Sequence, residues 1–137
     1  MAARAIHHLD LWADDYATAG DEWAWLLGHL DWESDLSWES GRSWAHPDGT
    51  YLFMESSSDQ SGEHDRMRAG VNHIAFVIED RELLDRMRAE SSGHGWHELF
   101  ADRFPHAGGD EHTALYLESS EGFEVEIVVE PTATDPS

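Results

Sequence analysis

Two stretches of alternating hydrophobic and polar positions, residues 6–15 and 71–80, share one pattern although they lie far apart in the chain. Each stretch is typical of a short β-strand with His at its third position, followed by two acidic residues that can cap a helix. Apolar residues at helical spacing follow in residues 16–27 and 81–89. Both halves of the chain therefore begin with a predicted strand and a predicted helix.

After each helix the hydrophobic period changes to two, which is typical of strands. The predicted strands cover residues 32–39, 42–45 and 50–55 in the first half and residues 96–100, 113–118 and 123–129 in the second. Turn sequences at residues 47–49 and 119–122 separate the last two strands of each half. The pattern predicts the α+β class, with βαβββ modules at residues 1–56 and 71–130, a polar linker at 57–70 and a disordered tail at 131–137.

The charge of the chain excludes several classes of partner. Its 137 residues include 29 acidic and 8 basic side chains, and the formal net charge is −21. A chain this acidic is not expected to bind nucleic acid or an anionic membrane, because both require basic patches. The absence of Cys excludes disulfides, thiolate catalysis and Cys-ligated zinc. No apolar run approaches the roughly 20 residues of a membrane span, and residues 1–11 lack the apolar core of a signal peptide, so we expect a cytoplasmic protein.

Strand alternation predicts which polar side chains share a face. In the two opening strands, His8 and His73 should point away from the helices. In the two closing strands, Glu55 and Glu126 should do the same. A single strand His is usually structural, but the recurrence of a His and a Glu in both halves favours a metal site. Two imidazoles and two carboxylates suit a borderline divalent ion such as Zn, Ni, Mn or Fe.

The sequence resembles the vicinal oxygen chelate superfamily, which includes glyoxalase I, extradiol dioxygenases and bleomycin-resistance proteins. The resemblance lies in the two strand openings, residues 6–15 and 71–80, and in the closing strand, where a turn glycine precedes a Glu in Gly122-Phe123-Glu124-Val125-Glu126. It covers residues 4–130. It identifies no individual member of the superfamily.

The resemblance implies that the tandem modules form a curled eight-stranded cup around a divalent metal ion. The superfamily's ligand positions correspond to His8, Glu55, His73 and Glu126, and Glu55 and Glu126 would also move protons in catalysis. The metal would act as a Lewis acid in a glyoxalase-like lyase or isomerase, or in a dioxygenase. The resemblance also implies a homodimer, in which the cup is formed within one chain or between two chains.

Aromatic and polar residues predicted on the same face indicate a small, partly aromatic or apolar substrate that carries oxygen atoms. These candidate substrate-binding residues are Asp10, Trp12, Tyr51, Phe53 and Tyr116. The loop at residues 102–112 adds Arg103, His106 and His112, either as a lid over the substrate or as a solvated connection between strands. The alternative function is sequestration of a drug without catalysis, since an acidic lining would favour a cationic ligand without a metal.

Overall fold

The computed structural model describes residues 5–130, so the predicted tail at 131–137 lies outside the described residues. The chain divides into two compact units, Met1–His64 and Asp65–Ser137. The division falls inside the stretch predicted as a linker. No helix within residues 5–130 is long and apolar enough to cross a membrane.

The first unit contains a four-stranded mixed sheet and one helix. Its elements are β1 (His8–Trp12), α1 (Tyr16–Gly28), β2 (Glu33–Trp38), β3 (Gly41–Ala45) and β4 (Tyr51–Glu55). The strand order is β1-β4-β3-β2, with β1 and β4 parallel and the other neighbours antiparallel. Asp15 begins α1 by accepting hydrogen bonds from the backbone N–H groups of Ala17 and Thr18.

The second unit repeats this topology. Its elements are β5 (His73–Ile78), α2 (Arg81–Glu90), β6 (His97–Leu99), β7 (Ala114–Glu118) and β8 (Glu124–Val129). The strand order is β5-β8-β7-β6, and β5 and β8 are parallel. Asp80 caps α2 through the backbone N–H of Glu82 at 2.9 Å. The predicted α+β class and tandem βαβββ organisation are confirmed.

The apolar core of each unit lies between its helix and its sheet. In the first unit Trp23, Leu26 and Leu27 of α1 are fully buried, as are Leu52 and Met54 of β4. In the second unit the fully buried side chains are Leu84, Met87, Leu115, Leu117, Val125 and Ile127. These residues follow helical spacing in the helices and alternate along the strands, so the opposite face of each sheet is left for polar side chains.

Candidate active site

The opening strands place their histidines on the face away from the core. Along β1 the side chains of His8, Asp10 and Trp12 are exposed, and along β5 His73 and Ala75 are exposed. The intervening residues of both strands are less exposed. The alternation predicted from the sequence is therefore present in both opening strands.

A buried carboxylate on β8 forms the centre of the candidate site in the second unit. Glu126 is only 6% exposed. Its Oε1 lies 3.2 Å from Nε2 of His73, and its Oε2 is hydrogen-bonded to Nε2 of His112. Tyr116 is its direct cross-strand partner on β7. Two imidazoles and one phenol therefore converge on a single carboxyl group.

The other side of the His73 ring is held by Asn72. The Asn72 amide nitrogen donates to the backbone oxygen of Arg66 at 3.0 Å, which leaves the amide oxygen facing Nδ1 of His73 at 2.8 Å. Nδ1 must therefore carry the proton that is donated to Asn72. In a neutral ring, Nε2 then presents its lone pair to Glu126. Two acceptors that face each other are stable only with a cation between them, either a proton or a metal ion.

Tyr116 is a neutral hydrogen-bond donor in this site. Burial, the negative charge of Glu126, the hydrogen bond with Glu126 and the more distant charge of Glu124 raise the pKa of Tyr116 to about 12. Its ring lies edge-on to Phe100 with the centroids 5.4 Å apart, and the His73 ring centroid is 6.5 Å away. The phenol therefore keeps its proton at physiological pH and holds it next to a carboxylate.

The loop between β6 and β7 brings His112 to Glu126 because Gly108 leaves room for it. A Cβ atom at Gly108 would lie 2.5 Å from Cδ2 of His112 and 2.7 Å from the Tyr116 hydroxyl. Nδ1 of His106 lies 3.2 Å from the backbone oxygen of His112, which ties the two arms of the loop together. The predicted lid residues His106 and His112 therefore have different contacts: His112 is hydrogen-bonded to Glu126, whereas His106 contacts the backbone of His112.

Gly108→Ala is expected to displace the loop and lower the free energy of unfolding by about 1–3 kcal/mol, the usual cost of overpacking. Urea denaturation measures this loss. The matched control is Gly93→Ala, because nothing lies within 4 Å of a Cβ at Gly93. Equal stability of the two variants would contradict a steric role for Gly108.

In the first unit the exposed face carries a carboxyl pair instead of a carboxylate between imidazoles. The Trp12 indole N–H donates to Oδ2 of Asp10 at 3.3 Å. A hydrogen bond with Asp10, burial and repulsion from the Asp10 charge raise the pKa of Glu55. His8 lies beside His7, with their Nδ1 atoms 2.9 Å apart, and its ring contacts Phe53 edge-on at 5.4 Å. The Asp10–Glu55 pair therefore favours a state in which its two carboxyl groups share a proton.

The strand registers show that Glu55 and Glu126 are not at equivalent positions. His73 pairs with Glu124 on β8, and Ala75 pairs with Glu126. In the first unit, by contrast, His8 pairs with Tyr51 and Asp10 pairs with Phe53. The counterpart of Glu126 is therefore Phe53, and Glu55 lies two residues, about 6–7 Å, further along its strand.

Glu55→Gln is expected to become more stable relative to the parent protein as the pH rises from about 4.5 to 7.5. A carboxyl group with a raised pKa in the folded state stabilises the fold at low pH. That contribution is lost as the pH rises through the folded pKa. Glutamine mimics the protonated form and does not titrate. Thermal unfolding at several pH values measures the trend, with Glu33→Gln, on the exposed β2, as the control. Parallel pH profiles for all three proteins would contradict the shared proton.

Two further predicted residues, Tyr51 and Arg103, contact neighbouring aromatic rings. Tyr51 is half-buried and stacks on His7 with the centroids 5.8 Å apart. The Arg103 guanidinium lies over the Phe100 ring.

Sequence reasoning missed Asn72, Phe100 and Gly108. Asn72 could have been suspected because it precedes His73, but no sequence signal marks the other two.

Within residues 5–130, no group of three or more His, Asp or Glu side chains has a geometry that could hold a metal ion.

Comparison with known proteins gives consistent results. Residues 7–116 match the sequence pattern of the glyoxalase/bleomycin resistance protein/dioxygenase superfamily. The chain is 34% identical to the uncharacterised protein YqjT of Bacillus subtilis, over 90% of this chain and 97% of that protein. A glyoxalase-like protein from Bacillus halodurans superposes with a TM-score of 0.85 and 35% identity, over 91% of this chain and 95% of that one. A glyoxalase/bleomycin resistance protein from Albidiferax ferrireducens shares the fold at 16% identity and a TM-score of 0.72, over 92% and 98% of the two chains.

Proposed function

The chain belongs to the glyoxalase/bleomycin resistance protein/dioxygenase superfamily, and we propose that it is a metal-dependent enzyme of the vicinal oxygen chelate type. Its substrate would be a small, partly aromatic molecule that carries oxygen atoms, and its reaction that of a lyase, isomerase or dioxygenase. The observation that carries this proposal is the buried Glu126 carboxylate, which the imidazoles of His73 and His112 both contact.

Two donor groups of the second unit, the His73 imidazole and the Glu126 carboxylate, are of the chemical types that bind divalent metals. His73 is fixed by Asn72 in the tautomer that leaves Nε2 free to coordinate, and that nitrogen faces a carboxylate oxygen. We propose His73 and Glu126 as metal ligands of this unit. The sequence prediction of His8 as a further ligand stays a prediction. Imidazole and carboxylate ligands suit Fe(II) and related ions. A bound ion would supply Lewis-acid stabilisation of a substrate oxyanion.

Of the two roles that the sequence predicts for Glu55, metal ligand and proton-transfer group, we propose proton transfer. Its hydrogen bond with Asp10 and its offset from the position equivalent to Glu126 support this choice over a fourth ligand. In the second unit, Tyr116 would hold a proton on its hydroxyl and donate a hydrogen bond to a substrate oxygen. His112 would hold Glu126 in place and accept or return a proton at Nε2.

Elemental analysis of purified, tag-free protein tests the metal. We expect about one transition-metal ion per site, its loss in His73→Ala, and a lower melting temperature after chelation. The matched control is His97→Ala, which removes an exposed imidazole from β6. A protein that stays metal-free when offered Fe, Mn, Ni or Zn would overturn the proposal, as would equal metal content in the two variants.

A second candidate function, sequestration of a cationic aromatic ligand, is supported by the first unit. There the hydrogen-bonded carboxyl groups of Asp10 and Glu55 lie beside the exposed Trp12 indole. Carboxylates and indole rings both attract organic cations. Binding of such a ligand that chelator leaves unchanged, together with the absence of any metal, would favour sequestration over catalysis.

We also propose a homodimer, as the superfamily resemblance implies. Light scattering during size-exclusion chromatography tests this assembly. A mass of about 15.5 kDa, that of one chain, would overturn it.

A further inference from the structure

An exposed aromatic ring next to the Glu126 site carries a stacked guanidinium. Phe100 is 40% exposed, and the Cζ atom of Arg103 lies 5.0 Å from its ring centroid. The Phe100 backbone is left-handed, with φ +59°, a strained conformation for a residue other than glycine. The chain therefore holds this ring in place at an energetic cost.

The ring joins Arg103 to the candidate site. Phe100 contacts Tyr116 edge-on at 5.4 Å, and Tyr116 hydrogen-bonds to Glu126. Since the two steps measure 5.0 and 5.4 Å, the guanidinium carbon lies within about 10 Å of the Tyr116 ring centre. A molecule the size of a phenyl ring with a short side chain could span this distance.

Arg103 makes no ion pair with another side chain within residues 5–130, although acidic residues far outnumber basic ones in this protein. Arg42, Arg66, Arg68, Arg81 and Arg88 each pair with a carboxylate. The nearby Phe104 ring is covered by Arg88 at 4.0 Å, but that guanidinium is bound to Glu98. Arg103 thus keeps its charge available beside the site.

We propose that Arg103 and Phe100 form a substrate subsite for an aryl carboxylate, in which the guanidinium binds the carboxylate and the Phe100 ring packs against the aryl group. This inference rests on the proposed function and deepens it, because it names the substrate class as anionic and aromatic. A planar guanidinium can bind both carboxylate oxygens. The high negative charge of the protein repels anions, but salt screening limits that repulsion to about 8 Å at physiological ionic strength. The nearby Arg103 guanidinium therefore determines whether an anion binds at this subsite.

Binding of 3-phenylpropanoate and of its neutral amide tests the subsite, because neither probe carries the vicinal oxygens that would chelate a metal. Titrations followed by NMR on chelator-treated protein should show the acid binding at least about fivefold more tightly than the amide. Arg103→Gln should remove this preference. The matched control, Arg86→Gln, removes an exposed guanidinium from α2 and should keep it.

Three results would overturn the subsite: equal affinity of the parent protein for acid and amide, an undiminished preference in Arg103→Gln, or equal loss in both variants. Each is independent of metal content, which is measured on the same preparations. An Arg103-dependent preference in a protein that binds no metal would support the subsite and overturn the proposed metalloenzyme. Metal binding without this preference for the acid would support the proposed metalloenzyme and overturn the subsite.

Discussion

Glu126→Gln is expected to weaken divalent-metal binding by at least about 100-fold. Substitution of residues that only support metal ligands already lowers metal affinity by about 10- to 100-fold. The substitution removes the one negative charge that faces both His73 and His112. Glutamine offers a single acceptor oxygen and an N–H₂ group that repels a cation. Competition with a fluorescent chelator measures the affinity.

The control for this experiment is Glu130→Gln, which makes the same change at an exposed residue just beyond the end of β8. We expect Glu130→Gln to bind metal as the parent protein does. Circular dichroism in the near ultraviolet checks that Glu126→Gln keeps its tertiary packing. A folded Glu126→Gln protein with an affinity within about threefold of the parent would exclude Glu126 as a ligand.

Arg66→Met is expected to lower the free energy of unfolding by about 3–5 kcal/mol, the usual loss when one partner of a buried ion pair is removed. The Arg66 side chain is 19% exposed and contacts Oε2 of Glu118 at 3.1 Å and Oε1 of Glu124 at 3.0 Å. These two glutamates are directly opposite each other on β7 and β8. Without the guanidinium, two carboxylates face each other, one of them almost completely buried.

Two further variants separate this ion pair from a general loss of charge. Arg68→Met removes an arginine that is 76% exposed and pairs with Asp65 at 3.3 Å, so it should cost less than about 1 kcal/mol. Adding Glu124→Gln to Arg66→Met should recover part of the lost stability, because it removes the uncompensated buried charge. Chemical denaturation measures all four proteins, and equal stability of the two arginine variants would contradict the buried pair.

The contacts of Arg66 show where sequence reasoning reached its limit. The composition of residues 57–70, rich in Ser, Asp, Gly and Arg, predicts a linker. Arg66 in this segment nevertheless binds β7 and β8, and its backbone oxygen accepts the hydrogen bond that orients Asn72. Composition reports the absence of a local hydrophobic pattern. It does not report ion pairs with residues more than 50 positions away.

The candidate site was predictable only in part, for a related reason. Alternation within each of two strands predicts that His73 and Glu126 point away from the helix, and the structure brings them into contact. The correspondence between Glu55 and Glu126 required the pairing of two different strands, and the sequence does not specify that register. His112 reached Glu126 because a loop folds back over Gly108, and no periodicity describes such a path.

The sequence by itself determined the elements of this protein: the α+β class, the two βαβββ modules, and the helices that begin after Asp15 and Asp80. Those features depend on periods of two and 3.6 residues and on caps, which act between near neighbours in the chain. Only the tertiary structure decided that Phe53 occupies the position equivalent to Glu126, that Asp10 pairs with Glu55, and that Arg103 lies on Phe100. Strand register, loop paths and side-chain contacts depend on residues distant in sequence, and their energies are set by the packing of the whole unit.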